Sequence, residues 1–172
     1  MRISLVLFSF ILGISVTAAD WPGWRGADRM DVQTESGLLE SWPDGGPKRL
    51  WLSENAGMGY SGPAIVNDVL FTMGARDQTA YIIAMDANTG AEKWATPVGK
   101  VLTNTWGDGP RATPTVDGDK VYAMGGQGDL VCANAADGKE IWKVSMVALG
   151  GKVASWGYTE SVLVDGDQVI CT

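Results

Sequence analysis

The chain has 172 residues, room for one domain at about 100–200 residues each, with 45% apolar and 19% charged residues in a globular balance. Its 13 Lys and Arg against 20 Asp and Glu give a net charge of −7, which argues against a nucleic-acid partner held through its phosphates. It contains no histidine, so Ser-His-Asp and Cys-His catalysis, histidine-ligated zinc and histidine-ligated haem are excluded from this stretch.

Residues 1–19 read as a secretory signal peptide. Arg2 supplies a positive charge, Ile3 to Val16 is a mostly apolar run, and Thr17-Ala18-Ala19 offers small residues before Asp20. The run falls short of the roughly 20 apolar residues needed to span a bilayer, and no later stretch reaches that length. No cysteine near the cleavage site offers a lipid anchor. The expectation is a mature chain from Asp20, exported to the periplasm or outside the cell, without a membrane span.

Residues 20–59 form an N-terminal segment in which Lys48-Arg49-Leu50-Trp51-Leu52 reads as one isolated strand. A repeat follows. Pro63-Ala64-Ile65-Val66-Asn67-Asp68-Val69-Leu70-Phe71 aligns with Pro114-Thr115-Val116-Asp117-Gly118-Asp119-Lys120-Val121-Tyr122, and again with Val162-Leu163-Val164-Asp165-Gly166-Asp167-Gln168-Val169-Ile170. Short apolar runs around Asn-Asp or Asp-Gly predict tight hairpins, because such turns need residues that tolerate φ > 0. The 23 glycines, against a norm of roughly 7%, fit the same reading.

A second block follows each of the first two hairpins. Tyr81 to Trp94 resembles Leu130 to Trp142, each an apolar strand, a turn closed by glycine, and a strand carrying tryptophan. One unit is therefore four antiparallel strands, A to D. Units of this kind at a period of about 40–50 residues predict an all-β fold, a β-propeller of four-stranded antiparallel blades. Blades are expected at 60–99 and 111–146, with the start of a further one at 159–172.

The blocks Ala84-Met85-Asp86-Ala87-Asn88-Thr89-Gly90-Ala91-Glu92-Lys93-Trp94 and Asn134-Ala135-Ala136-Asp137-Gly138-Lys139-Glu140-Ile141-Trp142 resemble the PQQ-type propeller repeat. The opening Asp20-Trp21-Pro22-Gly23-Trp24-Arg25-Gly26 is similar to the start of exported bacterial proteins of that superfamily, which holds quinone-cofactor dehydrogenases, propellers without cofactor, and outer-membrane-assembly propellers. The resemblance implies that Trp94 and Trp142, with Trp51 at the matching position, dock one blade against the next. It also implies a ring of eight blades, of which this sequence supplies about two and a half as an N-terminal portion.

Strand parity sorts the connections. A–B and C–D turns fall on one face of the ring and are short. B–C loops and blade-to-blade connections fall on the other and read as longer: Ala75–Thr79, Gly126–Asp129, Lys100–Thr113 and Val147–Glu160. Function concentrates on variable loops of a rigid scaffold, so the candidate binding face comprises Arg76, Asp77, Asn104, Trp106, Asp108, Arg111, Gln127, Asp129, Trp156 and Tyr158, with Lys152 and Glu160 nearby. Trp106-Gly107 and Trp156-Gly157 repeat one pair at consecutive connections, and Asp108 is a candidate ion-pair partner for Arg111.

No catalytic or metal residue is assigned. Asp117-Gly118-Asp119 and Asp165-Gly166-Asp167 lack the further ligands of a calcium loop, and Gly125-Gly126-Gln127-Gly128-Asp129 lacks the spacing of a dinucleotide fingerprint. Cys132 and Cys171 match no metal or redox spacing and read as small buried strand residues. The expected function is a non-catalytic exported scaffold that binds a protein, peptide or polymer partner through the loop face and carries no cofactor. The alternative implied by the resemblance is a dehydrogenase of alcohols or sugars using PQQ and calcium, with the cofactor doing the redox chemistry. Against it, the adjacent Cys-Cys pair of many alcohol-oxidising relatives is absent.

Overall fold

The computed structural model describes residues 19–172; the signal-peptide assignment lies outside the described residues up to Ala18. All regular structure among the described residues is β. Strands β1 (Ala64–Val66), β2 (Val69–Arg76), β3 (Thr79–Asp86) and β4 (Glu92–Lys100) form one antiparallel sheet in sequential order. Strands β5 (Thr115–Asp117), β6 (Lys120–Met124), β7 (Asp129–Asn134) and β8 (Glu140–Ser145) form a second. Strands β9 (Leu163–Asp165) and β10 (Gln168–Ile170) pair as a hairpin that begins a third.

The turns follow from residue chemistry. Asn67 and Asp68 adopt φ of 50° and 59°, the doubly left-handed conformation of a two-residue hairpin that Asn and Asp tolerate. Gly118 and Gly166 take φ of 56° and 60° at the matching positions. The C–D turns lie beside these, because the amide of Ala87 donates to the Asp68 carbonyl and that of Ala135 to the Asp119 carbonyl, both at 2.9 Å. One end of both sheets is thus made of tight turns.

The B–C connections differ from the expectation of longer loops. Ala75 pairs with Ala80 and Arg76 with Thr79, leaving only Asp77-Gln78 as the turn, with Asp77 at φ 53°. The ladder extends because Ala75 and Ala80 are both buried. Only the blade-to-blade connections are long and irregular.

The core lies between the sheets. Phe71, Met73, Ile82 and Val98 of the first pack with Val121, Met124, Val131 and Cys132 of the second in one buried cluster. Cys132 is buried on β7 as expected, whereas Cys171 is half-buried just beyond β10, and both are free thiols.

Tryptophan docking repeats with fixed geometry. The Trp94 indole N–H donates to the Ala135 carbonyl at 3.2 Å, and its ring lies where a Cβ on Gly138 would fall. Trp51 does the same one blade earlier, donating to the Ala87 carbonyl at 2.9 Å over Gly90. The segment around Trp51 has no ladder partner among the described residues. It crosses the first sheet as an extended cover, with Ala56 over Gly74 and Met58 bridged to Ala75.

A second N-terminal stretch ties the innermost strands together. Trp21 exchanges both backbone hydrogen bonds with Ile65 on β1, and the Pro22 carbonyl accepts from Val116 on β5. Arg29 then donates to the carbonyls of Ser161 and Val162, just before β9. Residues 21–29 form a strap across three successive A strands.

Candidate functional site

The long connections, residues 101–114 and 146–162, lie at the end of the sheets away from the tight turns. Asn104 organises them. Its side-chain oxygen accepts from the Trp106 amide at 3.0 Å, its side-chain amide donates to the Ser155 carbonyl at 3.1 Å, and its backbone amide donates to the Asp108 carboxylate at 3.1 Å. One residue thus shapes its own loop and ties it to the next.

Trp106 and Trp156 stack across this junction. Their ring centroids are 4.5 Å apart with an interplanar angle of 29°, an offset arrangement favoured by the ring quadrupoles. The two side chains are 59% and 50% exposed. So large an apolar pair left half in water is a surface available to a partner.

Arg111 braces the loop that carries Trp106. It donates to the Gly107 carbonyl at 2.8 Å, to the Gly109 carbonyl at 3.3 Å and to Asn104 at 3.4 Å. The expected Asp108–Arg111 ion pair does not form, because Asp108 is turned to the Asn104 amide and loop carbonyls occupy the guanidinium. The Arg111 guanidinium also sits 5.5 Å from the Tyr60 ring centroid, within cation–π range.

The structure divides the remaining candidates. Gln127 donates to the Val101 carbonyl at 3.4 Å and the Tyr158 amide donates to the Gly126 carbonyl at 3.0 Å; both anchor the base of the loops. Asp129 faces Lys143 at 3.4 Å within the second sheet. Arg76 donates to the Asn55 carbonyl at 2.9 Å and pairs with Glu92, beside Asp77. Arg76, Asp77 and Asp129 therefore stand apart from the cluster of Asn104, Trp106, Asp108, Arg111 and Trp156. Lys152 is exposed on the second loop.

Sequence reasoning missed Tyr60, Trp24 and Arg29. The Tyr60 hydroxyl donates to the Trp106 carbonyl at 3.3 Å. Its signal was present: Gly59-Tyr60 precedes β1 much as Gly157-Tyr158 precedes β9. Trp24 and Arg29 reach this end only through the strap, which no local pattern announces. Among the described residues, no group of three or more Asp, Glu, His or Cys side chains is placed to hold a metal ion. No helix among them is long and apolar enough to cross a membrane.

Residues 78–172 match the family model described as outer membrane protein assembly factor BamB. Comparison with curated proteins gives no match. Among solved structures, the chain is similar to a europium-containing methanol dehydrogenase, at 22% identity and a TM-score of 0.50 over 69% of this chain and 21% of that one. It is also similar to the quinohemoprotein alcohol dehydrogenase ADHIIG from Pseudomonas putida HK5, at 22% identity and a TM-score of 0.51 over 70% and 18%. BamB from Moraxella catarrhalis aligns at 22% identity and a TM-score of 0.41 over 57% and 28%. The chain thus spans 18% to 28% of the length of these structures. At this identity the two dehydrogenases bear on the fold alone, and that fold is the β-propeller.

Proposed function

Given that the chain belongs to the PQQ-like propeller family described as outer membrane protein assembly factor BamB, we propose that it is an exported, non-catalytic scaffold that binds a protein partner through its loop face. The observation that carries this reading is the Trp106–Trp156 stack, half-exposed and fixed to both loops by Asn104. A pre-ordered aromatic pair loses little side-chain freedom on binding and offers a large apolar area, the profile of an interface anchor. The opposite end supports the reading by contrast, since among the described residues it carries short turns rich in Asp, Asn and Gly and no stacked aromatics. The family's description supports a protein as the partner rather than a small substrate.

The dehydrogenase reading, with PQQ and calcium as its groups, draws on fold likeness alone.

The test is site-specific photo-cross-linking in the exporting cell, with the probe at Trp156 or, on the other face, at Asp119. The scaffold reading expects one defined protein adduct from position 156 and none from 119. An adduct only from 119, or alcohol-dependent dye reduction by the purified protein after addition of PQQ and calcium, overturns it.

A further inference from the structure

Two arginines line one cleft with a single carboxylate, Glu160, and among the described residues neither arginine is in an ion pair. The ion pairs among the described residues are Arg25–Asp31, Arg76–Glu92, Lys93–Asp86, Lys120–Asp119 and Lys143–Asp129. Arg29 and Arg111 belong to none. Both are half-buried, and both spend donors only on neutral acceptors: Arg29 on the Ser161 and Val162 carbonyls, Arg111 on loop carbonyls and Asn104. A guanidinium has five N–H donors. Arg29 bonds through Nη2 alone, so its Nε and Nη1 hydrogens remain available, as does the Nε hydrogen of Arg111. Half-burying two cations in a cleft that holds one carboxylate leaves a net positive charge there, and a singly charged anion would offset its cost.

The cleft between them has a volume of about 350 Å³ and is also lined by Trp24, Thr113, Thr159 and Glu160. Each contributes a different constraint. Trp24 is 51% exposed; the Arg25 guanidinium lies 5.3 Å from its ring centroid, and the face away from Arg25 can take an apolar or sugar face. The threonine hydroxyls donate and accept. The carboxylate of Glu160 receives hydrogen bonds from the amide and hydroxyl of Thr172 at 2.7 and 3.0 Å, which leaves it acceptor capacity and its negative charge. That charge disfavours a dianion in the same cleft and favours a ligand pairing a single negative charge with hydroxyl donors.

We propose that the Arg29–Arg111 cleft is a binding site for a monocarboxylated sugar. Its carboxylate bridges the two guanidiniums, its ring lies on Trp24, and its hydroxyls donate to Glu160 and the threonines. The cleft shares Arg111 with the loop that carries Trp106, but binding of a small anion there does not depend on the scaffold reading.

The experiment is calorimetric titration of the purified chain with glucuronate, glucose and inorganic phosphate, at low and high salt. Glucuronate should bind saturably, more tightly than glucose or phosphate, and more weakly as salt rises. Arg111→Gln should weaken glucuronate about tenfold, the scale of one lost charged hydrogen bond, with glucose unchanged. Arg29→Lys keeps a donor for the Val162 carbonyl but loses the planar fork, and should weaken glucuronate in a chain whose circular dichroism is that of the parent. No saturable glucuronate binding overturns the proposal, as does phosphate binding more tightly than glucuronate. It also fails if a folded Arg29→Lys variant binds glucuronate at full strength.

Discussion

The Asp86 carboxylate accepts from the Thr89 hydroxyl at 2.9 Å and from the amides of Asn88 and Thr89 at 3.1 and 2.9 Å. The Thr89 hydroxyl is the largest cause holding its pKa below the ordinary value, with the two amides and Lys93 adding in the same direction. A depressed carboxylate contributes stability above its unfolded pKa of about 3.9 and loses it as pH falls through the folded value. Thr89→Val should therefore move the Asp86 pKa upward in an NMR titration; an unmoved pKa would show that the amides alone hold it. Cys132 behaves in the opposite sense. Burial pushes its thiol up, so its contribution is complete below the unfolded thiol value of about 8.5 and declines as pH rises through it. Peptide-mapped alkylation of the native chain should label half-buried Cys171 first and Cys132 only on unfolding. Early labelling of Cys132 would mean that the sheets do not close over it.

Blade docking belongs to the element scale. Trp51 and Trp94 each lie on a glycine of the following C–D turn, and a Cβ on Gly90 or Gly138 would come within 2.4 or 2.5 Å of the indole. Both glycines also hold positive φ, 71° and 73°. Gly138→Ala should thus cost at least the roughly 1–2 kcal/mol of a left-handed alanine, measured by denaturant unfolding, with the displaced Trp94 ring reported by its fluorescence. Trp94→Ala should cost about 3 kcal/mol, the lower end for a large buried aromatic. Trp142 packs against Tyr122 with centroids 5.9 Å apart but is 37% exposed, and Trp142→Ala should cost clearly less in this chain. Equal losses at both positions would refute the docking account. These partners were legible early because the repeat places like residues at like positions. The two-residue turn at Asp77-Gln78 was not, since burial of Ala75 and Ala80, rather than any turn signature, carries the ladder to Arg76 and Thr79.

For the whole molecule, hydrogen exchange should rank the sheets. β2, β3, β6 and β7 combine central ladder positions with buried side chains, while β9 and β10 are largely exposed, so amides of the first four should exchange slowest and those of the last two fastest. Deleting residues 20–31 should speed exchange at Ile65 and Val116, whose amides donate to Trp21 and Pro22. Unchanged protection there would mean that the strap is not held as described.

Period and turn chemistry are properties of neighbouring residues, so the blades, the tight-turn face and the docking tryptophans could be read from the chain alone. The loops bearing Trp106 and Trp156 were legible as a repeated pair for the same reason. Their stacking, the turning of Asp108 away from Arg111, and the meeting of Arg29 with Arg111 across one cleft were decided by tertiary structure. Each depends on which backbone carbonyls and faces lie within reach once separate segments pack. Arg29 and Ser161 are joined by a hydrogen bond across 132 positions of sequence, and no local pattern encodes a contact of that range.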